Sequence, residues 1–525
     1  MKKNLLSLLL LISTYQFTSA QTNLSLAAQL TYPGISFAGC WHYVDNSFNE
    51  YALVGASDGV RIINITNPTN PVPVASVPGE ASIWRELKTY GHYAYVSTEA
   101  GSGVAGVTNG LQIIDLSGLP GSVNYKYYSD SLLGSLLMRG HTVTVADNGF
   151  LYVSGTHLAN GAVGGVLIFS LTDPWNPVYV GQYTTSYVHD CIVYNDTMIS
   201  SELGNGFSIV DVSNKATPVV LQTQPTPANF NHNTWRSDNG NVLFTTDEVG
   251  GAPLGAYDIS DIANIKLLDI YYTQNMPNSE VHNVRVINDF LICPSYGSQV
   301  TIVDAARPAN LIEVGEYPTS GNLCWDADPY FPSGKIVACD MNGNIYVLTP
   351  NYIRACYLEG IVTDSATGAL LNNAAVQVSV VNLSENTNLN GEYKTGTVTA
   401  GTYTVTVSLT GYNTKIINNV QLNNGVLTTL NVQLSLVGSG INDIENNKGV
   451  FIAPNPVTDK ATFVIPFANA KAQVKIYDAL GKLSQTVVNN YGTFTLHRND
   501  LNTGMYFFEV MNDEQVKARG KFIVQ

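Results

Sequence analysis

The feature that most limits what this chain can fold into is an apolar strand pattern that recurs along its first 350 residues. It reads GVRIINI at 59–65, GLQIIDL at 110–116, GVLIFSL at 165–171 and GFSIVDV at 206–212. It continues as LGAYDI at 254–259, QVTIVD at 299–304 and NIYVL at 344–348. Intervals between starts run from 41 residues (Gly165 to Gly206) to 55 (Gly110 to Gly165). One such unit cannot bury both of its faces alone, so copies must stack, and the period is that of four-stranded propeller blades. Most copies lead into a polar turn, often with proline (Thr66-Asn67-Pro68, Thr172-Asp173-Pro174), and then an outer strand such as PVASV at 73–77. The seventh copy has no outer strand after it. Residues 24–30 (LSLAAQL), followed by Pro33 and Gly34, repeat the pattern of 72–79 and are the candidate to complete it, closing the ring and removing its edges. The expectation is an all-β chain: a seven-bladed β-propeller over 21–355 followed by two small β-sandwich domains.

Composition narrows the partners. Charged residues make up 12% of the chain, the formal net charge is −15 and the pI about 4.9. Nucleic-acid binding relies on Lys and Arg to neutralise phosphates, and docking on anionic lipid has the same requirement, so neither is expected. Lys2 and Lys3 precede an apolar run from Leu5 to Ile12 and a small-residue Thr18-Ser19-Ala20 site. That is the pattern of a secretory signal peptide over 1–20, with Gln21 as the expected mature start. No later stretch has the roughly 20 apolar residues of a membrane-crossing helix, so no transmembrane segment is expected. Six cysteines in an exported chain permit disulfides without making a cysteine scaffold, and Cys40–Cys324 and Cys324–Cys339 are candidate pairs.

Past the repeat the texture changes. Residues 356–436 are rich in Thr, Val and Asn, with GIVTDSATG at 360–368, AAVQV at 374–378, GTYTV at 401–405 and Gly411-Tyr412 marking short strands between glycine turns. A Gly/Ser/Asn linker at 437–449 leads to 450–525, which carries APNP at 453–456, VKIYDALGK at 474–482, LNTGMY at 501–506 and KFIVQ at the terminus.

Four resemblances follow from these residues. The segments 206–212 and 299–304 resemble the LVIVD repeat, from which 254–259 departs, and 40–350 as a whole is similar to the propeller of the choice-of-anchor B family of exported bacterial proteins. Residues 356–436 look like the carboxypeptidase regulatory-like domain, a prealbumin-type sandwich that usually serves as a spacer. Residues 450–525 resemble the type A sorting domain of type IX secretion. This implies the type IX secretion machinery as a partner, passage across a Gram-negative outer membrane, and a final place at the cell surface or outside the cell.

Chemistry in a propeller concentrates where inner strands converge on the axis. Four successive blades open with histidine: His141, His189, His232 and His282. Trp41, Trp84-Arg85 and Trp325 open the flanking ones. Imidazoles sharing one register share one location, which suits a divalent transition metal as cofactor. The resemblance to the four-histidine iron centre of carotenoid oxygenases is one of fold-level analogy. The same repetition would also arise if each histidine capped an inner strand by hydrogen-bonding the next blade. General-base chemistry without metal is a third reading. Carboxylates recur after the second strand of several blades (Asp58, Glu99, Glu202, Asp247-Glu248, Asp340), as candidate cation or polyol ligands or as solvated turn residues. Trp41, Trp84, Trp235 and Trp325, with Arg85 and Arg236, are candidates for a stacking floor or for channel packing. The functional expectation is an exported binding module for a surface glycan or protein ligand. The alternatives are a metal-dependent enzyme at the four histidines and a purely structural or adhesive envelope protein.

Overall fold

A computed structural model describes residues 23–525 except 101–109, 163, 275–278, 298, 321–322, 380–383, 438–448, 466–471, 490–491, 499–500 and 513–514. The expected signal peptide and most of the expected linker lie outside the described residues. The protein is all-β, and helical structure among the described residues is confined to 3-10 turns such as Ile262–Asn264.

Between residues 24 and 350 the described strands form eight antiparallel sheets: seven are built on a path of four strands, and one is a two-stranded pair, Leu137–Arg139 with His157–Leu158. The first of the seven is Phe37–Val44, Glu50–Ala56, Gly59–Asn64 and Val72–Pro78, in that order from the axis outwards. The repeated apolar segments are the third strands. They are buried almost throughout (the first four of the five residues in both Leu111–Asp115 and Phe207–Asp211), because a neighbouring sheet covers each face and alternation is lost. The outer strand Val219–Gln224 has solvent on one face and alternates exposed and half-buried residues. LGAYDI, for all its departure from the repeat, supplies the strand Leu254–Asp258 in the same place.

Each sheet packs on the next through a core of its own. Tyr152, Val166 and Ile168 meet Cys191, Met198 and Val210, and Ile199, Phe207 and Ile209 meet Leu243 and Tyr257. The last sheet packs on the first: Ala52, Val54 and Ile63 share a core with Val337, Cys339 and Val347. The strand Leu24–Thr31 pairs antiparallel with Asn344–Pro350, Leu24 opposite Pro350 and Thr31 opposite Asn344, and so completes the last sheet from the N-terminal side. Two-residue hairpins hold the inner strands in register. At Asn195-Asp196 and Asn288-Asp289 both residues have positive φ (45° and 60°, 50° and 59°), the backbone of a tight hairpin turn that Asn and Asp tolerate.

Residues after 355 form two further pairs of sheets. In the first pair, Cys356–Asp364 lies between Glu392–Thr397 and Leu427–Thr429, and the second sheet runs Ser384–Asn386, Ala375–Val378, Gly401–Ser408, Lys415–Leu422. Arg307 of the ring clamps Glu359 with both guanidinium arms (2.9 and 3.1 Å), and Arg354 pairs with Asp304 at 2.6 Å. The last module has a sheet of Phe451–Ala453, Lys460–Val464 and Thr493–His497 beside one of Leu483–Asn489, Ala472–Tyr477, Gly504–Asn512 and Gln515–Val524. Phe463, Val474, Ile476, Phe508 and Phe522 form its core.

Candidate functional site

The inner strands bring His141, His189, His232 and His282 side by side. Neighbouring imidazole centroids are 4.1, 4.2 and 4.2 Å apart along the row. Each ring is oriented by its Nδ1. That of His189 lies 3.1 Å from the His232 carbonyl oxygen, that of His232 2.9 Å from the His282 carbonyl, and that of His282 2.7 Å from the Trp325 carbonyl. A carbonyl only accepts, so Nδ1 carries the proton in these three rings and the lone pair sits on Nε2. His141 ends the row with its Nδ1 2.5 Å from Glu99 Oε1.

All four side chains are buried, His282 at 1% exposure. Burial, reinforced by the neighbouring imidazoles, holds His189 and His232 well below the usual histidine range. Burial also brings His282 down to about 3. These rings are therefore neutral at physiological pH. Glu248 reaches over the row from the loop after Val242–Asp247, with its carboxylate oxygens 3.9 Å from His232 Nε2 and 3.8 Å from His282 Nε2. Burial raises its carboxyl above the ordinary range. Ligand atoms of His189, His232 and Glu248 all lie within 4.8 Å of one another. The buried Nε2 of His282 has no hydrogen-bond partner. Neutral imidazoles with orienting carbonyls behind them and a carboxylate in front are a donor set for a divalent transition metal.

Beneath the histidines lies a buried charged layer that sequence reasoning missed. Arg285 pairs with Asp326 at 3.2 Å, and Glu86 accepts from Trp325 Nε1 at 2.7 Å. Burial raises Glu86 to about 7, with Asp326 adding to the effect against Lys88, Trp325 and Arg285. The cavity between this layer and the histidines holds about 20 Å³, room for roughly one water-sized occupant. The available signal was a charge on an inner strand, Lys88 or Arg285, in a chain with 25 Lys and Arg in all.

The other sequence candidates are dispersed. Trp41 and Trp235 line a second cavity farther along the axis, with Arg236 and with Tyr194 and Tyr330, which no repeat position marks in the sequence. Trp325 packs its ring 4.9 Å from that of His282. Trp84 is 40% exposed and lines neither cavity. Arg85 is buried, donating to the Ala56 and Glu80 carbonyls. Glu202 accepts from Tyr183 and Ser200, and Asp247 from Thr226 and the backbone of Ala228, so both hold loops together. Asp58 pairs with Arg61, and Asp340 accepts from Asn344 and Tyr346. The six cysteines are free and buried, without the disulfides considered from sequence. Cys40 donates to the Val337 carbonyl and Cys339 to that of Ala38.

Three family matches accompany this geometry. Residues 357–435 match the carboxypeptidase regulatory-like domain, 451–525 the secretion system C-terminal sorting domain, and 202–224 the LVIVD repeat. No curated protein matches the chain. The sorting domain indicates export by type IX secretion to the cell surface or the extracellular space. Among the described residues no helix is long and apolar enough to cross a membrane.

Proposed function

We propose that this exported protein is a binding module whose propeller, seven-bladed and spanning 21–355, holds a divalent transition metal on His189, His232 and Glu248. His282 lies within reach and His141 closes the row. The observation that carries this reading is the set of Nε2 lone pairs. Three successive buried imidazoles each give their only proton to a backbone carbonyl, and the His282 Nε2 has no partner at all. A strand cap accounts for the Nδ1 bonds. It gives no reason to leave the buried His282 Nε2 without a partner beside a carboxylate, since an unpaired buried polar atom costs about 1–3 kcal/mol. Residues 356–436 serve in this reading as a spacer and 450–525 as the export signal.

The test is elemental mass spectrometry on the mature chain purified without a polyhistidine tag, beside His189→Ala/His232→Ala and Glu248→Gln. About one equivalent of metal is expected in the native chain, lost in the double variant and weakened in Glu248→Gln. Cobalt substitution should add visible absorption bands of nitrogen and oxygen ligation. A folded native chain that takes up no zinc, cobalt, nickel or copper sinks the proposal. A metal-dependent enzyme would use the same centre, and turnover that follows metal content would mark it.

A further inference from the structure

The inner strand Asn231–Arg236 carries His232 near one end and Trp235 and Arg236 at the other, about 10–13 Å on at 3.3 Å per residue. Here the channel opens into a cavity of about 430 Å³ lined chiefly by Trp41, His42, Tyr194, Trp235, Arg236 and Tyr330. That volume is within the range of small-ligand sites, and some twenty times the space beneath the histidines.

Three rings make its floor. Trp235 and Tyr330 are stacked at 25° with centroids 6.0 Å apart, and Trp41 stands 6.4 Å from Trp235 and 5.8 Å from Tyr330. The floor is braced from within the channel. Lys88 Nζ sits 4.0 Å from the Trp41 ring and the Arg285 guanidinium 4.7 Å from that of Trp235, while the Tyr330 hydroxyl donates to the Val286 carbonyl at 2.9 Å. Such rings are held in place before any ligand arrives, so little ordering is left to oppose binding. The wall is polar. Arg236 lies 3.7 Å over the Tyr194 ring, and its buried Nε has no hydrogen-bond partner. Asp238 lines the same cavity and stands exposed, and His42 is oriented by Asp328 at 2.9 Å.

We infer that this mouth binds a carbohydrate ring. A pyranose has a flat face of C–H groups for an aromatic floor and an edge of hydroxyls that both donate and accept. Arg236 supplies donors and Asp238 an acceptor, a mixed pair that matches hydroxyls. A purely apolar guest would leave the Arg236 N–H groups unpaired, and a simple anion would meet the Asp238 carboxylate. Export places the pocket where surface and extracellular glycans are found. The inference stands apart from the metal centre and shares none of its ligands.

The experiment is titration of the mature chain with neutral hexose, N-acetylhexosamine and uronate oligosaccharides. Tryptophan emission is the readout, with indole and benzoate as non-sugar probes. Saturable binding of at least one sugar class is expected, weakened tenfold or more by Arg236→Gln and by Asp238→Asn. Both variants should keep the native circular dichroism and metal content. No saturable response to any sugar, binding untouched by both substitutions, or tighter binding of the non-sugar probes would each overturn it.

Discussion

His282 offers a test of the buried imidazole row that needs no metal. Its pKa falls from 6.5 to about 3 on folding, because burial penalises the imidazolium. Between those values the unfolded chain binds a proton that the folded chain refuses, so stability rises with pH across that window. Above pH 6.5 the ring is neutral in both states and contributes nothing to the slope. As pH falls below 6.5, stability is lost at about 1.4 kcal/mol per pH unit, or about 2 kcal/mol by pH 5. The side chain is 1% exposed, so solvent screening does not reduce that figure much. Glu86 and Glu313, each raised to about 7 chiefly by burial, act with the opposite sign between pH 4.5 and 7. The curve of the whole chain therefore mixes the two, and the informative quantity is the difference from His282→Gln, which cannot titrate. Denaturant unfolding of metal-free protein at pH 7, 6 and 5 measures it. Tryptophan emission reports on the ring segment alone, because all five tryptophans (41, 84, 175, 235 and 325) lie there. The native protein should lose about 2 kcal/mol relative to the variant between pH 6.5 and 5. Parallel curves for the two proteins would refute the argument that burial keeps this imidazole neutral.

Other outcomes follow from particular contacts. Asp326→Ala leaves Arg285 as an unpaired buried cation and removes the acceptor for the Cys40 amide, so a loss of about 3–5 kcal/mol is expected in denaturant melts. Gly39→Ala would put a Cβ 2.2 Å from Glu86 Oε2, a carboxylate held by Trp325; about 1–3 kcal/mol of destabilisation is expected, with altered tryptophan emission. Arg307→Ala breaks a two-armed but partly exposed clamp on Glu359, and calorimetry should show less than about 1 kcal/mol.

Much of this molecule is legible in local sequence. Periodic apolar segments announce the third strand of each four-stranded sheet in the ring, and residues 24–30 announce their pairing with the last one, because a strand's burial pattern is written in consecutive residues. The C-terminal modules are as plain, their glycine turns and terminal motifs being contiguous. The histidine row was visible too, since a shared position in each repeat is a shared place on the axis. What only the tertiary structure decided is which neighbours those residues meet. Trp84 and Arg85 open a blade just as Trp325 does, yet Trp84 turns partly to solvent and Arg85 serves two backbone carbonyls. Glu202 and Glu248 occupy like places after second strands. One is engaged by Tyr183 and Ser200, while the other leans over the imidazoles. Glu86, Lys88, Arg285 and Asp326 come from three different sheets, 240 residues apart at the extremes, and form one layer only when the ring closes. Repetition in sequence determines position along a strand. The partner across the channel is set by closure, through contacts between residues that no local pattern connects.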